Sequence, residues 1–351
     1  MALQFQTDVL LAPYTTLGLG GPARRFARVD SEAALLDVLS SPEADGPVLV
    51  FGGGSNLVVA DEGFDGLAVH LGMRGIETLG EGRIRVRAGE PWDRVVDFAV
   101  ERGWAGIECL AGIPGCAGAT PIQNVGAYGQ EVAQVITAVE AIDRSRGETV
   151  RLDPAACAFE YRDSRFKRER DQWIVTAVEF TLRPGGAPTV AYGELRRVLE
   201  GQGADVAGVR EAVLGLRRRK SMVVDATDPD SRSVGSFFTN PVVSDDEARR
   251  VVEHAVRGRI VSAPGEVPRY EAGDGRTKFP AAWLIERAGI SKGLRRGCVG
   301  VSSKHTLALI NLGGGTTRAL LELAREIRDR VEDEFGVRLV PEPRLVGSPR
   351  R

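Results

Sequence analysis

The sequence predicts a protein of mixed helix and strand in two or three domains, with glycine-rich loops set between strands. Three observations lead there. The chain has 351 residues, beyond the roughly 250–300 at which single cores stop growing. Short β-like runs alternate with helical periodicities along it. Two segments dense in glycine, residues 51–57 and 112–129, suit neither a packed strand nor a helix. The longer one also carries Gln123, Asn124 and Tyr128. Alone it has an irregular connector as its alternative; the second loop upstream favours a surface where backbone N–H groups lie against a phosphate-bearing ligand.

Each element has a local cause. Ser31 caps a helix through Ser40 that turns Leu35, Leu36 and Leu39 inward. Pro47-Val48-Leu49-Val50-Phe51 is a buried strand entering the first glycine loop, and Leu57-Val58-Val59-Ala60 is a strand leaving it. Residues 67–71 and 84–88 are strands, the latter half-exposed. Pro91 belongs in the first turn of a helix ending at Gly103. Residues 135–142 and 173–182 are strands around a polar segment, 159–167. The pattern changes after Pro184-Gly185-Gly186-Ala187-Pro188, which suggests a boundary. A short helix comes after Tyr192, and a basic helix spans 209–220. Residues 225–233 are loop-like. Ser244 and Glu247 form a capping box for a helix to Arg257. Residues 279–288 make an amphipathic helix and 306–311 a strand. Thr316 caps a last helix whose Leu320, Leu323, Ala324, Ile327, Val331 and Phe335 share one face, stopped by Gly336. Residues 337–339 and 344–346 flank Pro341-Glu342-Pro343. No internal repeat is present.

Composition narrows the function. A net charge of −2, with 43% apolar and 27% charged residues, argues for a globular protein and against a nucleic-acid binder. The basic run Arg217-Arg218-Arg219-Lys220 still suits an anionic small molecule. No apolar run reaches membrane-span length, and the first residues lack the basic and apolar regions of a signal peptide. The four cysteines, Cys109, Cys116, Cys157 and Cys298, show no metal-type pairing and suit a reducing cytoplasm. Three scattered histidines leave little for a Ser-His-Asp hydrolase or a metal site, so proton chemistry falls to Ser, Tyr, Lys or a carboxylate.

Gly18-Leu19-Gly20-Gly21-Pro22-Ala23 fits a dinucleotide fingerprint formally, but it lacks the helix whose N-terminus would face a pyrophosphate. Residues 24–29, directly after it, alternate like an edge strand. The loop at 52–57 lies between strands and has no closing Gly-Lys-Ser/Thr. It is therefore neither a Rossmann turn nor a P-loop; Ser55 and Asn56 add side-chain donors to it.

At this level the chain resembles the UDP-N-acetylenolpyruvoylglucosamine reductase family. Phe51-Gly52-Gly53-Gly54-Ser55-Asn56 and residues 113–129 resemble its flavin-binding segments. Tyr161-Arg162-Asp163-Ser164, Gly235-Ser236-Phe237-Phe238-Thr239-Asn240-Pro241, Ala282-Trp283-Leu284-Ile285-Glu286 and Pro341-Glu342-Pro343 match further family motifs, in the family's order. The resemblance implies an α+β fold: a two-part FAD-binding region of the vanillyl-alcohol-oxidase-like type plus a third α+β substrate-binding domain. The expected parts are 1–70 and 71–220 for FAD, 221–336 for substrate, and a C-terminal segment, 337–351, carrying Glu342. Tyr192 resembles the tyrosine of the family form with an extra loop, here near 185–200. The implied activity is NADPH-consuming, FAD-dependent reduction of UDP-N-acetylglucosamine enolpyruvate to UDP-N-acetylmuramate in peptidoglycan precursor synthesis, by a cytoplasmic monomer without nucleic-acid or membrane partners.

The resemblance also implies roles. Ser236 donates the proton; its alternative is a turn serine beside two core phenylalanines. Glu342, held between two prolines, helps polarise the enolate; its alternative is a solvated acid. Arg162 stabilises developing charge; its alternative is a salt bridge to Asp163 or Glu160. Gly52, Gly53, Gly54, Ser55, Asn56, Gly115, Gly118, Gln123, Asn124, Gly126 and Ala127 hold FAD, non-covalently, since no histidine lies in either segment. Tyr192, Arg217, Lys220 and Asn240 meet the substrate; the alternative for Arg217 and Lys220 is a basic helix end favoured by the helix dipole. Lys304-His305 stand where some relatives place a substrate-binding glutamine. No metal is implied. The competing enzyme reading is another FAD oxidoreductase of this fold acting on a sugar or hydroxy acid; a non-catalytic nucleotide-sugar-binding protein is a third.

Overall fold

Residues 4–201 and 203–347 are described in a computed structural model, where the chain divides into two units. The first takes residues up to Leu10, 22–54 and 63–224; the second takes 11–21, 55–62 and the residues from Asp225 onward.

The first unit holds two main sheets. One has the order Gln6–Leu10, Pro22–Val29, Phe64–Leu71, Val48–Phe51, with its last three strands parallel. Pro22–Val29 is thus interior, not the edge strand that its alternation suggested: Arg24 and Arg28 are exposed while Ala27 and Val29 pack with Leu35, Val38 and Val69. The helix Glu32–Leu39 opens on Ser31, whose Oγ accepts from the Ala34 N–H at 3.1 Å. The second sheet is antiparallel, in the order Glu148–Leu152, Ile136–Asp143, Trp173–Thr181, Arg83–Arg87, Ile76–Gly80. Against it packs the helix Trp92–Val100, with Trp92 and Phe180 rings 5.7 Å apart. Pro91 stands one position earlier than expected, as the residue that caps this helix.

The segment 184–188 does not end the unit. Arg183–Pro184 pairs with Trp104–Ala105, and Leu195, Leu199, Val209 and Val213 enter the core that holds Trp92. The basic helix spans Val206–Arg219, capped by Asp205.

The second unit centres on the antiparallel sheet Ser233–Ser236, Ala308–Asn311, Val299–Val301, Arg295–Arg296, covered by the helices Asp245–Arg257, Ala281–Arg287 and Thr317–Phe335. The expected capping box at Ser244 and Glu247 is present. The last helix buries every apolar residue its spacing assigned inward and ends on Gly336 at φ +67°. The helix expected from 279 starts at Ala281: Pro280 is its cap, and a residue before proline, here Phe279, is pushed out of the helical region. Residues 337–339 form no strand, though Val337 and Leu339 are buried.

Two early segments complete this unit. Leu57–Val59 pairs in parallel with Arg344–Val346. Asp61 accepts from the Thr317 and Arg318 N–H groups at 2.8 and 2.9 Å, a carboxylate at the positive end of the long helix. Buried Asn311 ties in residues 11–21: its amide donates to the Leu17 carbonyl at 3.0 Å and its oxygen accepts from the Gly313 and Gly315 N–H groups at 3.0 and 3.2 Å. Asn311→Ala orphans all three and should cost about 3 kcal/mol of unfolding free energy. Denaturant titration checks this; a loss under about 0.5 kcal/mol, ordinary for a surface site, would contradict it.

Candidate functional site

The strand Val48–Phe51 delivers the first glycine loop beside the second. A Cβ on Gly52 would lie 3.1 Å from the Cys116 Cβ, and one on Gly53 would lie 3.0 Å from the Gly115 Cα. Only glycine lets the two backbones lie this close. The second loop is stitched down behind: Gly115 accepts from the Trp92 N–H at 3.0 Å, Ala117 donates to Glu90 at 2.9 Å, and Gly118 donates to Ala88 at 3.0 Å. A Cβ on Gly118 would be 2.4 Å from that of Ala88.

Downstream, buried Asn124 adopts φ +44° and acts as a brace. It donates to Glu131 at 3.0 Å and the Glu160 carbonyl at 3.1 Å, and accepts from the Ala133 N–H at 3.1 Å. Gly126–Ala127 pairs with Gln130–Glu131 across Tyr128 and Gly129, both at positive φ, the backbone of a tight hairpin. Half-buried Gln123 precedes this brace.

Arg162, at φ +54°, sits at the tip of a turn closed by Glu160 and Asp163 exchanging backbone hydrogen bonds. Its guanidinium donates to the Asn124 carbonyl at 3.2 Å and to that of Gly126. Asp163 and Glu160 pair with Arg168. Arg162 is therefore docked on the second glycine loop.

Tyr192 meets Tyr128 edge to face, with centroids 5.4 Å apart, and the Lys220 ammonium stands 5.9 Å from the Tyr128 ring centre, within cation–π range. Lys220 also pairs with Glu194. Burial pushes the Tyr128 phenol up to about 12, so it stays neutral. Arg217 donates to the Met222 and Gly112 carbonyls at 2.7 and 3.3 Å; burial lowers its pKa. It binds the helix end to the start of the second glycine segment.

In the second unit a bulge at Gly235, φ +77°, turns the strand so that half-buried Ser236 precedes Phe237 and Phe238 in the core. Residues 340–342 run antiparallel to this stretch: Thr239 donates to Val340 at 3.1 Å and Glu342 donates to Phe237 at 2.9 Å. The Glu342 carbonyl accepts from the Asn56 amide at 3.4 Å. The segments that carry Ser236 and Glu342 are thus paired through their backbones at Phe237 and Phe238. Asn240 accepts from the Ala281 N–H at 2.9 Å, capping that helix. Lys304 pairs with Asp228 at 2.9 Å. Arg162 lies in the first unit. No cluster of His, Cys, Asp and Glu among the described residues is placed to hold a metal, and no described helix is long and apolar enough to cross a membrane.

Residues 23–153 match the family described as FAD binding domain, and 228–346 match UDP-N-acetylenolpyruvoylglucosamine reductase, C-terminal domain. A protein named UDP-N-acetylenolpyruvoylglucosamine reductase from Thermobifida fusca is 48% identical over 99% of both chains. The chain belongs to this reductase family. A Streptomyces coelicolor protein of the same name is 49% identical over 97% of this chain and 90% of its own. The crystal structure of the Thermus caldophilus reductase superposes with a TM-score of 0.67 at 26% identity, covering 99% of each chain. This family member is an FAD-dependent oxidoreductase. Where Gly52 and Gly53 meet Gly115 and Cys116, bare backbone lies close together, a feature that fits a phosphate-bearing cofactor.

Sequence reasoning missed Tyr128 and Glu194 as partners of Tyr192 and Lys220. A tyrosine inside the glycine segment, with glycine after it, was the available signal. Burial raises the thiol pKa of Cys116, and of Cys109 and Cys157 to about 12, while Cys298 is exposed. The thiolate is the reactive form. At neutral pH a chromogenic disulfide reagent should therefore label Cys298 rapidly and the others only after denaturation. Acid precipitation should release all FAD into the supernatant; flavin retained in the pellet, or rapid labelling of Cys116, would contradict this.

Proposed function

We propose that this reductase converts UDP-N-acetylglucosamine enolpyruvate to UDP-N-acetylmuramate at the expense of NADPH, in the cytoplasm and as a monomer. The bound flavin, held by Gly52, Gly53, Gly54, Ser55, Asn56, Gly115, Gly118, Gln123, Asn124, Gly126 and Ala127, supplies the hydride chemistry. The protein's own residues must then hold the polyanionic substrate, stabilise charge that develops beside its carboxylate, and deliver one proton.

Ser236 delivers that proton from its hydroxyl to the enolate carbon. Glu342 polarises the enolate and sustains the proton supply. Arg162 presents a planar guanidinium that balances negative charge and can grip a carboxylate with two N–H groups. Tyr192 and Lys220 receive the diphosphate, joined by Arg217, and Asn240 makes a further substrate contact. The domain roles assigned to 1–70, 71–220, 221–336 and 337–351 form part of the same proposal.

The observation that carries this reading is the hydrogen bond from the Glu342 N–H to the Phe237 carbonyl, 2.9 Å. It pairs the backbone of the proline-flanked Glu342 with the residue that follows the proposed acid in the chain. A serine is a weak acid on its own, and a carboxylate such as that of Glu342 is the kind of group that would poise it.

Anaerobic stopped-flow separates the two half-reactions. NADPH should bleach the flavin band in both wild type and Ser236→Ala. Adding the enolpyruvyl substrate should restore the band promptly in the wild type and roughly 10²–10⁴-fold more slowly in the variant. Equal reoxidation rates would remove Ser236 from the role, and no reoxidation of the wild type would remove the substrate.

A further inference from the structure

Thr189, three residues before Tyr192, is held at three points by groups the reaction does not use. Its N–H donates to the Glu108 carboxylate at 2.7 Å, its carbonyl accepts from the Cys109 thiol at 3.2 Å, and its hydroxyl accepts from the Gln130 amide at 3.0 Å. Glu108 is fully buried and Gln130 nearly so, at 2% exposure. The same Gln130 amide donates to Glu108 at 2.8 Å, its oxygen accepts from the Cys109 N–H at 2.8 Å, and the other Glu108 oxygen accepts from the Gly106 N–H at 2.6 Å. Every side-chain arm in this cluster is used. A buried carboxylate is costly without such partners, so its presence needs an explanation beyond core filling.

The connectivity supplies one. Gln130 is two residues after Tyr128, and Thr189 is three before Tyr192. Clamping Thr189 to Gln130 through Glu108 sets the spacing at which the Tyr128 and Tyr192 rings meet, 5.4 Å apart. Gly129 makes the approach possible: a Cβ there would lie 3.0 Å from that of Ala191. We propose that Glu108, with Gln130 and Thr189, is a positioning device that registers the Tyr192 loop on the Tyr128 hairpin and so sets affinity for the nucleotide-sugar substrate. This rests on the reading of Tyr192 as a substrate residue.

Glu108→Gln keeps the shape but has one acceptor oxygen where the carboxylate has two, so a backbone donor is left facing an NH₂ group. The device predicts that KM for the enolpyruvyl substrate rises about tenfold, the equivalent of ~1.4 kcal/mol. Flavin content and the rate of flavin reduction by NADPH stay at wild-type values. In a Tyr192→Ala background Glu108→Gln should add less than about twofold, because coupled sites are non-additive. If Glu108→Gln does not fold, Thr189→Val, which removes only the hydroxyl link, enters the same cycle under the same criteria. A raised KM in Tyr192→Ala with a fully additive second effect overturns the positioning role alone. An unchanged KM in Tyr192→Ala overturns the substrate reading of Tyr192, and the proposal with it.

Discussion

Gly53 and Gly115 approach so closely that a methyl group on the first would press on the backbone of the second. Much of the first unit depends on that approach. The Gly115 carbonyl receives the Trp92 N–H, which fixes the start of the helix Trp92–Val100 and so the ring that packs on Phe180. Gly118 and Ala117 lie against Ala88 and Glu90, which joins the loop to the end of Arg83–Arg87 and hence to the five-stranded sheet. A bulky residue at either contact would have to move a strand or a helix, not merely a side chain. The absence of side chains at these contacts therefore serves packing, and it leaves backbone of the kind that a pyrophosphate can lie against.

The second unit solves a different problem by a similar means. There Ser236 and Glu342, the residues proposed to carry the proton chemistry, lie on segments ordered by backbone pairing. The bulge at Gly235, the two core phenylalanines and the prolines around Glu342 leave few rotational choices. Pre-set geometry of this sort lowers the entropy lost when a substrate aligns with its acid.

Local signals predicted local structure well. Ser31, Ser244 and Thr316 are caps because a hydroxyl followed by free N–H groups is a physical event within four residues. Pairings between distant segments leave no such trace. Nothing in Leu57-Val58-Val59 announces Arg344–Val346 as its parallel partner, and nothing near Asp61 announces that it caps a helix beginning at Thr317. The strand Pro22–Val29 misled because polar alternation marks one exposed face, which an interior strand also has. Glu108 was invisible for another reason: a lone carboxylate in a short helical turn has no periodicity, and only burial identifies it. The motif set reached Arg162, Ser236, Glu342, Tyr192 and Lys220, whereas the groups bracing them, Tyr128, Glu194, Gln130 and Thr189, emerged only from packing.

Hydrogen–deuterium exchange on the apoprotein and the FAD-loaded protein tests most directly that the paired glycine segments seat the cofactor. Peptides covering residues 51–57 and 112–129 should gain protection together on loading, because each segment orders the other. Protection confined to one of them, or appearing mainly around residues 18–23, would contradict a seat built from the Gly53–Gly115 approach.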